Sequence, residues 1–183
     1  GTYNTAVGNR ALYSTTTGGS NVAIGPDALL ANTTATQNVA VGSNALAANT
    51  TAGNNTACGT EALEHATTGS SNTAFGTRAL EAATTGVSNV GVGWYAGGGI
   101  TTGPNNTLVG TNAGKSTRNI TTGGQNVLLG MNTHTSAVDA VYQLVIGYNV
   151  SGNANYSLCF GQATSDSAIA FGATSITAPS DAR

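Results

Sequence analysis

A glycine recurs at a fixed step of 17 residues, at positions 8, 25, 42, 59, 76, 93 and 110, and each closes the pattern Asn-x-Ala-apolar-Gly or a near variant of it. Such a period is the mark of stacked units, each too small to bury an apolar face alone and stable only against its neighbours. The chain is therefore expected to be a solenoid rather than a globule. Two further beats keep the same step. One is an Ala-Leu pair, at Ala11-Leu12, Ala28-Leu29, Ala45-Leu46, Ala62-Leu63 and Ala79-Leu80. The other is a Thr-Thr pair, from Thr16-Thr17 to Thr101-Thr102, usually followed by a glycine that supplies turn geometry.

Extended backbone is expected before each glycine. The residue next to the glycine reads Val7, Ile24, Val41, Cys58, Phe75, Val92, Val109, Leu129, Ile146, Phe160 and Phe171, and the residue two before that is Thr, Val, Leu or Ile. Those two side chains share one face of a strand. The residue between them is Ala or Gly in the first six repeats, which suggests a close neighbour on the opposite face and a strand buried on both sides. The Ala-Leu segments are too short for stable helices and are also read as β. Stacking places Asn4, Asn21, Asn38, Asn55, Asn72, Asn89, Asn106 and Asn126 above one another, about 4.8 Å apart, where their amides can bond along the axis.

The step later becomes irregular. Gly130 follows Gly110 by 20 residues, with an insertion at Lys115 to Asn119, and Gly147, Gly161 and Gly172 follow at steps of 17, 14 and 11. This divides the chain into a regular array over 1–131, an irregular, tapering β region over 132–176 and a terminal junction over 177–183. Any targeting segment is expected outside the chain, because residue 1 already lies within a repeat.

Composition limits what such a stack can do. Only 7% of residues are charged, the net charge is −2, and Lys and Arg together number five, so no basic surface exists to neutralise nucleic acid or grip an anionic membrane. No apolar run approaches the roughly 20 residues of a membrane span. The apolar fraction of 39% is largely alanine, so a lone thin rung is short of large side chains to offset the entropy of ordering. Burial of the alanine face against other chains would supply the deficit, and a homotrimer is expected. Cys58 and Cys159 sit at positions that other repeats fill with small apolar residues and are read as buried free thiols.

Candidate chemistry is sparse, and no catalytic residue, cofactor or metal is expected. Glu64 and Glu81 occupy equivalent places on consecutive rungs beside His65, at a separation of about 5 Å that retaining glycosidases use, yet nothing suggests a substrate cleft. Arg10 with Asp27, and Glu61 with Arg78, stack opposite charges one rung apart. Trp94-Tyr95 replaces the usual small polar pair with the chain's single tryptophan, so these two are the candidate receptor contact, a surface for sugar rings. The alternative is that Trp94 fills space released by Gly97, where other repeats carry leucine. His134 also stands at a leucine position and would approach the axis of a trimer, where it is read as packed or exposed.

Asn21-Val22-Ala23-Ile24-Gly25 followed by Ala28-Leu29 resembles the head repeat of YadA-type trimeric adhesins, over roughly residues 1 to 130. That resemblance implies a left-handed parallel β-roll in a three-chain bundle, although the repeat of that family is a few residues shorter. The terminal Ile176-Thr177-Ala178-Pro179-Ser180-Asp181-Ala182-Arg183 resembles the junction preceding the intramolecular chaperone of endosialidase-type phage tail proteins. It implies autocleavage between Ser180 and Asp181 and a gene that continues past Arg183.

The expected fold is thus all-β, a parallel β-roll or β-helix solenoid of 17-residue repeats, intertwined or bundled as a homotrimer. The expected function is the structural, host-attachment stalk of a phage tail fibre, located in the virion, with itself and host cell-surface polysaccharide as partners. A bacterial surface adhesin, an ice-binding solenoid and a capsule depolymerase are the alternatives. Ice binding is disfavoured because adjacent threonines on a strand face opposite ways.

Overall fold

The computed structural model describes residues 1–115, 120–162 and, as backbone, 167–170. Its basic unit follows from two residues. The glycine that closes each repeat has φ between 122° and 141°, a region open only to residues without a Cβ. At Gly59 a Cβ would lie 2.5 Å from the backbone carbon and oxygen of Gly76 on the next rung, so the same position also requires close backbone approach. The chain bends sharply there and leaves the strand.

The resulting strands are β1 (Thr5–Val7), β2 (Val22–Ile24), β3 (Val39–Val41), β4 (Thr56–Cys58), β5 (Thr73–Phe75), β6 (Val90–Val92), β7 (Thr107–Val109), β8 (Val127–Leu129), β9 (Gln143–Tyr148) and β10 (Ser157–Gln162). They pair in chain order, all parallel, from β1 with β2 to β9 with β10. The register is constant, as in Val22 with Val39 and Ile24 with Val41. The protein is an all-β parallel solenoid of about nine turns. At its C-terminal end β11 (Ser167–Ala170) reverses direction and pairs antiparallel with β10.

Each turn of the solenoid contains one short strand, and the Ala-Leu segment is neither a second strand nor a helical turn. It is a run of hydrogen-bonded turns: Ala28 N–H donates to the Gly25 carbonyl, Leu30 to Asp27 and Asn32 to Leu29. Asp27 and Leu29 have φ of 59° and 52°, as the third residue of a type II turn requires. Leucine avoids this conformation in isolation. It is held there because the turn aims Leu29, Leu46, Leu63 and Leu80 into the core, fully buried, while Leu29 N–H still bonds the Ala45 carbonyl one rung on.

Nor is the strand buried on both sides. From β2 onwards its middle residue, Ala23, Ala40, Ala57 or Ala74, points inward and is fully buried in the same core cluster as those leucines. The first and third residues point outward and remain half-buried or exposed. The alanine face is therefore satisfied within the chain and does not await a partner.

The core keeps its volume as the sequence drifts. At β6 the inward residue is Gly91 and the turn leucine is replaced by Gly97, while in the next rung Leu108 takes the strand position and Gly114 the turn position. A Cβ on Gly97 would touch Leu80, Leu108 and Ile100. Apolar side chains from neighbouring rungs thus fill the space that Gly97 leaves, as close packing demands.

Candidate functional site

An asparagine spine runs through the buried side of the stack. The backbone N–H of Asn21 donates to Asn4 Oδ1 at 2.9 Å, that of Asn38 to Asn21 Oδ1 at 3.0 Å, and the pattern repeats through Asn55, Asn72, Asn89, Asn106 and Asn126. Each Nδ2 also donates to a backbone carbonyl further along the chain, as Asn72 does to Gly86 at 2.9 Å. Asparagine supplies a donor and an acceptor at once, which a buried backbone without a strand partner needs. The spine ends where Gln143 N–H bonds Asn126 Oδ1.

Two other asparagines share the interior. The Oδ1 atoms of Asn32 and Asn49, on consecutive rungs, are buried without a hydrogen-bond partner.

The outward strand residues form a continuous face. Its outer row reads Val7, Ile24, Val41, Cys58, Phe75, Val92, Val109, Leu129, Ile146 and Phe160, and its other row is Thr5, Val22, Val39, Thr56, Thr73, Val90, Thr107, Val127, Leu144 and Leu158. No charged residue interrupts it. Phe75 is 58% exposed. At about 4.8 Å per rung this face is roughly 43 Å long, larger than the scattered apolar exposure usual on a single soluble chain. Cys58 belongs to this face and is half-buried, whereas Cys159 points inward and is buried, and both thiols are free. The expectation of two buried cysteines thus holds only for Cys159, because strand alternation sends Cys58 outward.

Charge is gathered on a different edge. Arg10 and Asp27 pair at 2.7 Å, and Arg78 bridges Glu61 at 3.2 Å and Glu81 at 2.7 Å. The one-rung stacks are legible in the 17-residue step, but the Arg78–Glu81 bond is not. It exists because the turn between them brings positions three apart onto one side. Glu81 is only 8% exposed. Burial pushes its carboxyl up, but the Arg78 hydrogen bonds, the Tyr95 hydroxyl and the charges of Arg78 and His65 outweigh that and hold it below the ordinary carboxylate range. An acid held ionised this way is unsuited to donate a proton to a leaving group. Donor atoms of Glu64, His65 and Glu81 lie within 4.8 Å of one another, with both Glu81 oxygens already taken by Arg78.

Tyr95 sits on top of this cluster. Its ring covers Gly98, where a side chain would collide with it, and lies under the cations of Arg78 at 4.8 Å and Lys115 at 3.0 Å. Trp94 meets Tyr95 edge-on, with centroids 5.7 Å apart, and is 49% exposed. Trp94 does not fill the space over Gly97, which the core residues already occupy. The two aromatics are adjacent but unequal: one embedded, one presented.

His134 replaces a turn leucine but adopts a different backbone, pairing as an isolated bridge with Ser151. Its ring stays half-buried, bonded to the Asn132 carbonyl and to Ser151 Oγ, while Thr133 and Thr135 take the interior. The threonine pairs lie in turns and not on strands. The first hydroxyl is spent along the axis, as Thr33 donates to the Thr50 carbonyl at 3.1 Å, and the second threonine is exposed. Ser180 and Asp181 lie outside the described residues, as does Phe171.

A feature with no sequence forecast closes the face at one end. Tyr142 and Tyr156 stack with centroids 4.8 Å apart and planes at 14°. Beside them lies an apolar recess of about 280 Å³ lined by Gln125, Val127, Tyr142, Gln143, Leu144 and Tyr156. Alignment of the repeats would have found it, since both tyrosines stand two residues before an outward strand residue.

No protein family, curated protein or solved structure matches the chain. Among the described residues no helix is long and apolar enough to cross a membrane.

Proposed function

We propose that the chain is the stalk of a homotrimeric fibre of the phage tail-fibre kind, with host attachment as its task. The observation that carries the assembly is the uncharged outward face, periodic at the rung spacing over ten strands. A partner that covers it along its length needs the same period, and another copy of this chain has it. The contact that sequence reasoning assigned to the alanines therefore falls to the Val7-to-Phe160 and Thr5-to-Leu158 rows. The attachment reading rests on Trp94, an exposed aromatic held rigidly by Tyr95 and its two cations, suited to stack on a ring of host cell-surface polysaccharide.

Light scattering of the folded chain is expected to give three chain masses, and Phe75→Asp to reduce it to one. A cooperatively folded wild-type monomer would refute the assembly. Trp94→Ala is expected to weaken adsorption to host cells with an unchanged melting temperature; adsorption that survives it would refute the contact.

A further inference from the structure

Ten near-identical rungs leave assembling chains an ambiguity. Two outward faces slipped by one rung still set uncharged rows against uncharged rows, since the face repeats with the same step as the strands. Something that does not repeat must choose the register. Within the face, one row mixes Val, Ile, Leu and Phe with Cys58 and the other mixes Val and Leu with Thr5, Thr56, Thr73 and Thr107, so a slip exchanges one uncharged side chain for another. Along its margin, the residues two before the first outward position are Ser20, Gln37, Asn54, Ser71, Ser88, Asn105 and Gln125 through most of the stack, and then Tyr142 and Tyr156. Tyr3 is the other aromatic of this column, at the opposite end.

The tyrosine pair stands beside a recess whose lining is continuous with the face, because Val127 and Leu144 are outward residues of β8 and β9. Both tyrosines are exposed, and each is held in the left-handed backbone region, with φ of 56° and 57°. Mutual stacking holds the two rings together as a wall on the margin of the face. The recess is apolar, and Gln143 turns its amide inward to Ser136, so an apolar side chain suits it better than a sugar.

We infer that this recess is a register lock between copies, and that its occupants are Ile146 and Phe160 of a second copy. The inference rests on the homotrimer reading above. In a parallel bundle about an axis along the stack, equivalent residues of all chains lie at equal height, so one margin of each face meets the opposite margin of its neighbour. Ile146 and Phe160 occupy the opposite row at the heights of Leu144 and Leu158, and both are exposed. They are the side chains an in-register neighbour brings to the Tyr142 wall. A neighbour slipped toward its own N-terminus by one rung would leave the Tyr156 side of the recess without Phe160.

Cys58 can report the register, because in the aligned bundle its row meets the opposite margin of the neighbour, where Asn54 stands on the same rung. With Asn54→Cys in a Cys159→Ser background, mild oxidation is expected to link Cys58 of one chain to the new thiol of its neighbour. Tyr142→Ala with Tyr156→Ala is expected to retain three chain masses but lose at least half of that cross-link as chains spread over several registers. Ile146→Ala with Phe160→Ala should behave alike, and Phe75→Ala, in the same row but far from the recess, should not. Undiminished cross-linking in the tyrosine variant would overturn the inference, and so would its collapse to single chains, because the rest of the face is intact. A wild-type protein that is itself a monomer would instead overturn the homotrimer reading.

Discussion

Replacement of one spine asparagine tests whether the amides carry the stack or merely decorate it. Asn72 Oδ1 accepts the Asn89 backbone N–H at 2.9 Å and Asn89 Nδ2 at 3.2 Å, while its own Nδ2 donates to the Gly86 carbonyl at 2.9 Å. In Asn72→Ala the Asn89 N–H is orphaned in a site with no exposure, a cost of about 1–3 kcal/mol. The Gly86 carbonyl loses this donor and a small cavity opens, whereas Asn89 Nδ2 keeps its bond to Gly103. The sum is about 3 kcal/mol per chain, or roughly 150-fold in the folding constant. Chemical denaturation at equal chain concentration measures it, and hydrogen exchange adds a local readout at the Asn89 amide, which should lose protection. Asn72→Asp is expected to be no better, since it keeps the acceptors but faces Gly86 with a second acceptor. A loss under about 1 kcal/mol with Asn89 still protected would refute the reasoning.

Gly59→Ala should destabilise the fold by more than about 3 kcal/mol, because the clash is with the backbone of Gly76 and no side chain can yield; thermal unfolding close to wild type would show that the rungs can spread. The Glu81 carboxyl sits below its ordinary value of 4.5, so its contribution is present above that value and fades as pH falls through the folded one. Melting temperatures followed from neutral to strongly acid pH should therefore show an acid-side drop that Glu81→Gln reduces, and identical profiles would count against the Arg78–Glu81–Tyr95 cluster as a stabilising unit.

The period, the strands and the asparagine column were legible because each is enforced by a residue with no substitute: glycine for its backbone, asparagine for its paired donor and acceptor. The orientation of the strand was not. The usual rule places large apolar residues inside, but a rung with one short strand has an interior only wide enough for alanine against leucine, so Ile24 and Phe75 face out. The turns were misread for a related reason. Leu29 and Leu63 adopt a backbone that leucine avoids in isolation, and only their tertiary burial holds them there. Of the charged patch, the one-rung pairs followed from the repeat, while Arg78–Glu81 depends on turn geometry that the sequence does not display; the Tyr142–Tyr156 stack lay within reach of a repeat alignment, which sets both in one column.

Because the hydrogen bonds of each regular rung reach chiefly to the rungs immediately before and after it, the length of the stack is almost independent of its stability per unit. Copying or deleting one 17-residue unit in the gene would change the height by about 4.8 Å and leave the bonding pattern of the others unaltered. A molecule built this way carries its own ruler: its reach can be adjusted by duplication alone, with no new contact to be invented.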